Sequence, residues 1–452
     1  MRDKILLINP PRFNGFPMVR EMRCAGLSTS SIYPPLELAY LAGTLRQSAT
    51  VKIIDANALN LNFSDLEMEI KNFQPTAIVF TTSPVSFTAD VQIAARAKKI
   101  NPHIKTILLD SHIAPVMPEK IREKFPAIDL LVGSQPLANI PKIFGLPGVV
   151  ELEDHPLPAY DLLPLNKYFS LTYSRRKPFA TISTSAGCPN RCKFCLVGGA
   201  SVERGYGRKW QFKSARKILS EIKYLIGLGV KNIYFFDETF TISKRRVIEL
   251  CQLLKNEKIK IGWACNGRVD TVDDEVIKAM KAAGCWNIMF GIECGSEDSL
   301  ADINKGTTLE RAVSVVKACK KNGINVSASF VIGLPEENLA SIEKTLAVAK
   351  KISPYRAQFV IATPYPGTKL YDEMQADGLL LKPYDFSGYD AYGLASAPAI
   401  RTKFLSPAQL LEAQKKIYRK FYLRPAAILN IIISLKSFSQ LINLIKSLKY
   451  FK

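Results

Sequence analysis

Short apolar runs alternate with amphipathic stretches along the first 150 residues. Residues 4–8, 51–54, 77–80, 106–109 and 130–132 read as strands, and residues 36–46, 66–72 and 87–99 carry apolar positions at helical spacing. Pro34-Pro35 leads into the first helix, and proline is tolerated in a first helical turn. Strand–helix alternation at this spacing predicts a parallel, doubly wound sheet. Such sheets bind ligands beyond the carboxyl ends of their strands. The loops 9–12, 55–58, 81–87, 110–115 and 133–135 therefore face the crevice of a domain spanning residues 1–150.

Residues 151–173 hold no helical period and are interrupted by Pro156, Pro158 and Pro164, which marks a linker. A second alternation follows over residues 174–395. Its strands are 179–183, 233–236, 262–265, 288–290, 326–332 and 359–362, and its helices are 215–228, 245–256, 273–283, 309–322 and 339–351. About six βα units predict a partial (β/α)6 barrel, an open form of the eight-unit barrel, with its chemistry at the carboxyl ends of the strands. Residues 396–452 complete the chain with a helix over 407–421, capped by Ser406, and a tail.

Charge changes the picture of that tail. The net charge is +21, from 61 basic and 40 acidic residues. From Ala413 to Lys452 there is no acidic residue, whereas nine are Lys or Arg. Apolar residues recur at spacings of three and four from Ile431 to Leu448. That mixture over 426–452 predicts an interfacial helix on an anionic membrane surface rather than a nucleic-acid contact. No apolar run approaches the ~20 residues of a membrane span, and the first residues do not form a signal peptide. A cytoplasmic protein is expected, its tail either peripheral at the inner face of the membrane or docked as a helix on the barrel.

The candidate chemistry centres on Cys188-x3-Cys192-x2-Cys195, on the loop after the first barrel strand. Thiolates are soft ligands suited to iron–sulfur clusters or zinc. Three of them leave a four-iron cluster one ligand short, and a structural zinc site would need a fourth ligand from elsewhere. The three histidines, His103, His112 and His155, all lie more than 30 residues from this loop. Nine cysteines, an odd number, argue against a disulfide framework. The isolated cysteines read as small buried hydrophobes. Polar residues end the next strands: Asp237-Glu238, Asn266-x-Arg268 and Glu293, with Gly333 after the fifth. Polar groups at successive strand ends, opposite a metal loop, predict a pocket.

With the aromatic Phe194 before its last cysteine, the loop resembles the signature of the radical S-adenosylmethionine (SAM) family. The segments Ile8-Asn9-Pro10-Pro11, Tyr33-Pro34-Pro35-Leu36-Glu37 and the stretch 109–118 with His112 resemble the cobalamin-binding domain of one of its subfamilies. Asp110-Ser111-His112 stands where that subfamily carries Gly-Gly-x-His, and Gly133-Ser134-Gln135-Pro136 where it carries Gly-Glu-Gly-Glu. The resemblance implies a [4Fe-4S] cluster on the three cysteines, SAM on its open iron, and cobalamin in the first domain. Reductive cleavage of SAM would then give a 5′-deoxyadenosyl radical. It further implies that Glu293 takes the amino group or ribose of SAM, and that Lys305 and Arg268 take its carboxylate. Phe194, Ser329 and Gly333 would line the nucleoside, and Asn9, Pro10 and His112 would meet cobalamin. Asp237 and Glu238 are the candidates for catalytic or substrate contact.

A flavodoxin- or ferredoxin-type protein would donate the electron. The expected reaction is methylation of an unactivated carbon on a lipophilic small molecule, because similar tails occur in anaerobic magnesium-protoporphyrin ester cyclases and hopanoid-modifying enzymes. Oxidative cyclisation or rearrangement without methyl transfer is a second reading. A cobalamin- or cluster-based sensing module at the membrane is a third. Transfer-RNA methylthiolation would call for a second cysteine triplet, and Cys24 stands alone in the first domain.

Overall fold

The structure, a computed structural model, describes residues 2–21, 26–27, 31–110, 112–133, 135–203, 209–381, 398–425 and 427–429. The first domain runs β1 (Lys4–Asn9), α1 (Leu36–Leu45), β2 (Thr50–Asp55), α2 (Phe63–Phe73), β3 (Ala77–Thr81), α3 (Gln92–Ile100), β4 (Lys105–Leu109), α4 (Pro118–Lys124), β5 (Leu130–Val132) and α5 (Pro136–Ile143). The sheet is all parallel in the order β2-β1-β3-β4-β5. Along β1, Ile5 and Leu7 enter one apolar cluster while Leu6 and Ile8 enter another. Both faces of the sheet are thus covered, which is why its strands read as unbroken apolar runs. The helix expected over 87–99 is broken into Phe87–Asp90 and α3, at the point where Asp90 turns inward onto Arg20.

The second domain runs β6 (Phe179–Ile182), α6 (Ala215–Gly227), β7 (Asn232–Phe235), α7 (Lys244–Asn256), β8 (Gly262–Gly267), α8 (Asp274–Ala282), β9 (Cys285–Glu293), α9 (Leu309–Lys321), β10 (Asn325–Ile332), α10 (Leu339–Ile352) and β11 (Arg356–Ile361). Its six parallel strands lie in sequence order, an open barrel wall. Each of its helices starts on a side-chain cap: Ser214, Ser243, Asp273, Thr308 and Asn338 each accept a first-turn N–H. Two strands are longer than their apolar cores. β11 begins at Arg356, with Ala357, Phe359 and Ile361 buried and the residues between them half-buried. β9 begins directly after the Gly284 turn.

An open wall has two unpaired edges, and tyrosines satisfy both. On β6, the Tyr160 hydroxyl donates to Thr181 O and accepts from Thr181 N. On β11, the Tyr422 hydroxyl accepts from Ala357 N (3.0 Å) and donates to Ala357 O (2.8 Å). Tyr418 accepts from Phe359 N and Gln414 donates to Phe359 O. Gln414, Tyr418 and Tyr422 come from α11 (Pro407–Tyr422). Tyr160 comes from the segment between the domains, which folds as short 3-10 turns and a two-residue strand, Phe169–Ser170, paired with Ser31–Ile32.

One apolar cluster runs from the first sheet through α1 and this segment into the barrel. Across the same seam, the fully buried Lys213 amine donates to the Tyr40 hydroxyl of α1 (2.8 Å) and to Glu221 of α6 (2.7 Å). Among the described residues no helix is long and apolar enough to cross a membrane. The expected interfacial helix, from residue 430 on, lies outside the described residues.

Candidate active site

The cysteine loop leaves the end of β6 and is pinned at its root. Asp237, after β7, accepts from Thr184 N (2.6 Å), the Thr184 hydroxyl and the Ser185 hydroxyl (2.8 Å). Arg246 of α7 donates to Thr184 O (2.7 Å) and stands 3.6 Å from Asp237. Lys213 N also bonds Thr184 O, and Ser185–Ala186 pairs with Gln211–Phe212 as a small ribbon. Gly187, at φ +74°, then turns the chain in the left-handed region that favours glycine. The loop closes through Cys188 N to Val197 O and Gly199 N to Asn190 O. A Cβ on Gly198 would come within 2.8 Å of Asn190 O, so that closure requires glycine.

All three cysteines are buried. Asn190 Nδ2 lies 3.3 Å from Cys188 Sγ, and Arg268 Nη1 lies 3.7 Å from Cys192 Sγ. Among the described residues no three or more His, Cys, Asp or Glu side chains converge on a single-ion site. Three buried thiols on one loop, with N–H groups aimed at two of the sulfurs, are a soft, dry donor set that fits a cluster.

The strand ends opposite assemble around this loop. Glu293 closes β9 at φ +71°, next to a register shift between Gly291 and Glu293. Its carboxylate meets the Lys305 amine at 2.6 Å, both largely buried. The pair lies against Gly291, where a Cβ would stand 2.1 Å from Glu293 Oε1. Arg268, after β8, donates to Lys305 O (2.6 Å), to Asp270 (2.9 Å) and to Cys192 Sγ. The loop is held from the same side by Lys193 N to Ile303 O and Asn304 Nδ2 to Arg191 O.

Cys192, Arg268, Lys305 and Glu293 thus form one contact chain. Ser329 pairs with Gly291 from the next strand and is half-buried. Phe194 is half-buried against the barrel core. Gly333 has φ +86°, and its N–H donates to Glu337 (2.6 Å). The Gly333 N–H is therefore already satisfied within the turn. Burial pushes the Glu337 carboxyl up to about 7, against the opposing pull of its two backbone N–H bonds. Asp237 is buried beneath the loop root, and its bonds position the loop; Glu238 is half-buried beside it.

In the first domain the loops after β1 and β3 meet on a buried ion pair. Arg20 donates to Pro10 O, Pro11 O and Asn9 Oδ1, and its guanidinium sits 2.9 Å from Asp90, which also accepts from Thr82 and Ser86. Asn9 donates to Asp55 (2.9 Å), which also accepts from Tyr168. Burial raises the Asp55 carboxyl to about 6. After β4, Asp110 accepts from the N–H groups of His112, Ile113 and Ala114.

His112 is buried, with its ring 5.8 Å from that of Tyr365, which follows β11. Tyr365 and Leu196, the residue after Cys195, both enter the apolar cluster of the first domain. A cleft of about 310 Å³ lined by Pro115, Leu131, Val132, Gly133 and Asn139 opens at the ends of β4 and β5. The crevice of the first sheet and the cysteine loop are therefore neighbours. Sequence reasoning missed Arg20, Asp90, Asn190, Lys213, Arg246 and Glu337. The partners of Arg20, Asp90, Lys213 and Arg246 lie across loops or domains, whereas Asn190 and Glu337 bond within their own loops, where spacing alone does not mark a donor to a sulfur or an acceptor for a turn.

Comparisons with known proteins agree with this architecture. The profile of the radical SAM superfamily matches residues 182–349, and that of the B12 binding domain matches residues 22–139. An uncharacterized methyltransferase of Pyrococcus horikoshii is 34% identical over 94% of both chains. The anaerobic magnesium-protoporphyrin IX monomethyl ester cyclase of Rubrivivax gelatinosus is 25% identical over 94% of this chain and 78% of its own. Among solved structures, the cobalamin-dependent SAM radical enzyme OxsB superposes with a TM-score of 0.73 at 17% identity, covering 99% of this chain and 71% of its own. The radical SAM methyltransferase TsrM of Kitasatospora setae superposes with a TM-score of 0.64 at 15% identity, covering 83% of this chain and 76% of its own.

Proposed function

The chain belongs to the radical SAM superfamily in its B12-binding-domain form, and on that premise we propose that it methylates an unactivated carbon of a lipophilic small molecule. It is a radical SAM enzyme whose cofactors are a [4Fe-4S] cluster, SAM and cobalamin. When bound, the cluster with SAM supplies hydrogen-atom abstraction and cobalamin supplies the methyl carrier. The observation that carries methyl transfer is the shared seam: His112 against Tyr365, with Leu196 packed into the first domain one residue beyond the cysteines. That seam lets one substrate lie within reach of both cofactors.

The residues take the following parts. Cys188, Cys192 and Cys195 hold the cluster. Glu293 and Lys305 present a carboxylate beside an ammonium, the inverse of the zwitterionic end of SAM, and so bind its amino and carboxylate groups. Phe194, Ser329 and the Gly333 turn wall the nucleoside. Arg268 and Asp237 hold the loop. Asn9, Pro10 and His112 border the cobalamin crevice, and Leu196 and Tyr365 keep water from the seam. A flavodoxin- or ferredoxin-type protein delivers the electron.

The lipophilic substrate is supported by the likeness to the ester cyclase and by the tail. Leu423, Ile428 and Leu429 are exposed where α11 leads into it. In this reading residues 426–452 rest on the inner face of the membrane of a cytoplasmic enzyme. Full-length protein should float with anionic liposomes, and a truncation after Arg424 should not. Equal flotation would remove the membrane from the account.

Anaerobic reconstitution with iron, sulfide and cobalamin, followed by SAM, a low-potential reductant and candidate tetrapyrrole or terpenoid substrates, tests the reaction. Equal formation of 5′-deoxyadenosine and S-adenosylhomocysteine is expected. 5′-Deoxyadenosine alone would move the assignment to cyclisation or rearrangement. Neither product from fully loaded protein would overturn the enzymatic reading.

A further inference from the structure

Two of the three cysteine sulfurs meet side-chain N–H donors. Asn190 lies two residues from Cys188, and its amide N–H points at that sulfur from 3.3 Å. Its backbone is fixed meanwhile, because Asn190 O accepts from Gly199 N (2.8 Å). The Arg268 guanidinium reaches Cys192 Sγ at 3.7 Å. Arg268 has little freedom to leave, since its Nε donates to Asp270 (2.9 Å) and its Nη2 donates to Asp270 (2.9 Å) and to Lys305 O (2.6 Å). A guanidinium held in this way is a fixed charge beside the Cys192 sulfur.

We propose that Asn190 and Arg268 set the midpoint potential of the cluster by donating N–H bonds to the sulfurs of Cys188 and Cys192. In the step concerned, one electron passes from a low-potential one-electron reductant to the oxidised 2+ cluster, giving the 1+ cluster; no bond is made or broken and no proton moves. The added electron increases the negative charge on the thiolate sulfurs. N–H dipoles and a nearby cation stabilise that state, so the potential rises toward the reach of a protein donor. Loss of one bond should lower the ratio of reduced to oxidised cluster at fixed potential about tenfold, which is about 59 mV for a one-electron couple.

The inference rests on cluster assembly at the three cysteines, which iron and sulfide content reports independently of potential. Reconstituted wild type, Asn190→Leu and Arg268→Gln are titrated under anaerobic conditions with EPR detection, without SAM. Both substitutions should shift the midpoint negative at unchanged iron and sulfide content. Resonance Raman spectra of the wild type should show Fe–S(Cys) stretching modes that move on transfer to deuterated water, and Asn190→Leu should lose part of that shift. If Arg268→Gln loses the cluster, Asn190→Leu decides. If both do, the isotope shift of the wild type decides. An unchanged midpoint in Asn190→Leu, or Fe–S modes insensitive to deuterium, would overturn the proposal.

Discussion

The Glu293 carboxylate and the Lys305 amine stand 2.6 Å apart, in the space where a side chain at Gly291 would have to be. Removing one member strands a buried charge, which costs about 3–5 kcal/mol. Lys305→Met should therefore lower stability by about that much, and Glu293→Gln/Lys305→Met should recover part of it. Neither variant should recover SAM binding. Calorimetric titration of SAM, set beside urea unfolding, separates the two effects. Gly291→Ala should weaken SAM at least as strongly, because its Cβ displaces the carboxylate.

Asp237 gathers the N–H of Thr184 and the hydroxyls of Thr184 and Ser185 under the cysteine loop. Asp237→Asn presents an amide to donors that want an acceptor, and should cost about 2–3 kcal/mol. Its sharper effect should be on the cluster: iron and sulfide per chain should drop while far-UV circular dichroism stays unchanged. Full cluster content in that variant would return Asp237 to the list of groups that meet substrate.

Glu337 and Asp55 give the stability a pH dependence of definite sign. Their folded values, about 7 and about 6, lie above the ordinary carboxylate range because burial disfavours the charge. Between the unfolded and folded values the native state holds more protons than the unfolded chain, so stability falls as pH rises through that window. From pH 5 to pH 7 the loss for Glu337 alone is about 2–3 kcal/mol. Glu337→Gln, which keeps an acceptor for Gly333 N, should flatten this slope in urea unfolding series. An unchanged slope would mean that Glu337 is ionised throughout.

The amine of Lys213 joins Tyr40 on one domain to Glu221 on the other. Burial lowers the Lys213 pKa and raises that of Glu221, each opposed by the other's charge. Lys213→Met should cost about 3–5 kcal/mol by leaving Glu221 uncompensated. Lys213→Met/Glu221→Leu should be close to wild type in stability. Amide exchange along α1 should quicken in the single variant and slow again in the double one.

Those contacts also mark where the sequence ceased to be informative. The alternation of strands and helices was readable because each inner strand is buried on two faces and carries an apolar run. β11 was read three residues short because Arg356 and Gln358 sit at half-buried positions of an edge strand. The cysteine spacing was readable because one turn of loop contains it. Glu293 and Arg268 stood out because a charge at the end of an apolar strand has no packing role of its own. Lys213, 173 residues from Tyr40, carries no such mark. Nor do Arg20 and Asp90, 70 residues apart, whose meeting depends on two loops of the finished sheet. Asn190 lies inside the motif, but its spacing carries no sign that its amide donates to a sulfur.

The tyrosines on the two outer strands determine what can be cut from this protein. A fragment starting at the first barrel strand would lack Tyr160, and one ending before α11 would lack Gln414, Tyr418 and Tyr422. Each would expose a row of unpaired backbone groups, a template for joining another copy. The radical-forming half is therefore not an exchangeable cassette with borders at its own first and last strands. Any transplant or shuffled hybrid has to carry the connecting segment from before Tyr160 and the helix through Tyr422. Inherited as one piece, those flanks keep the backbone groups of both outer strands paired within the chain.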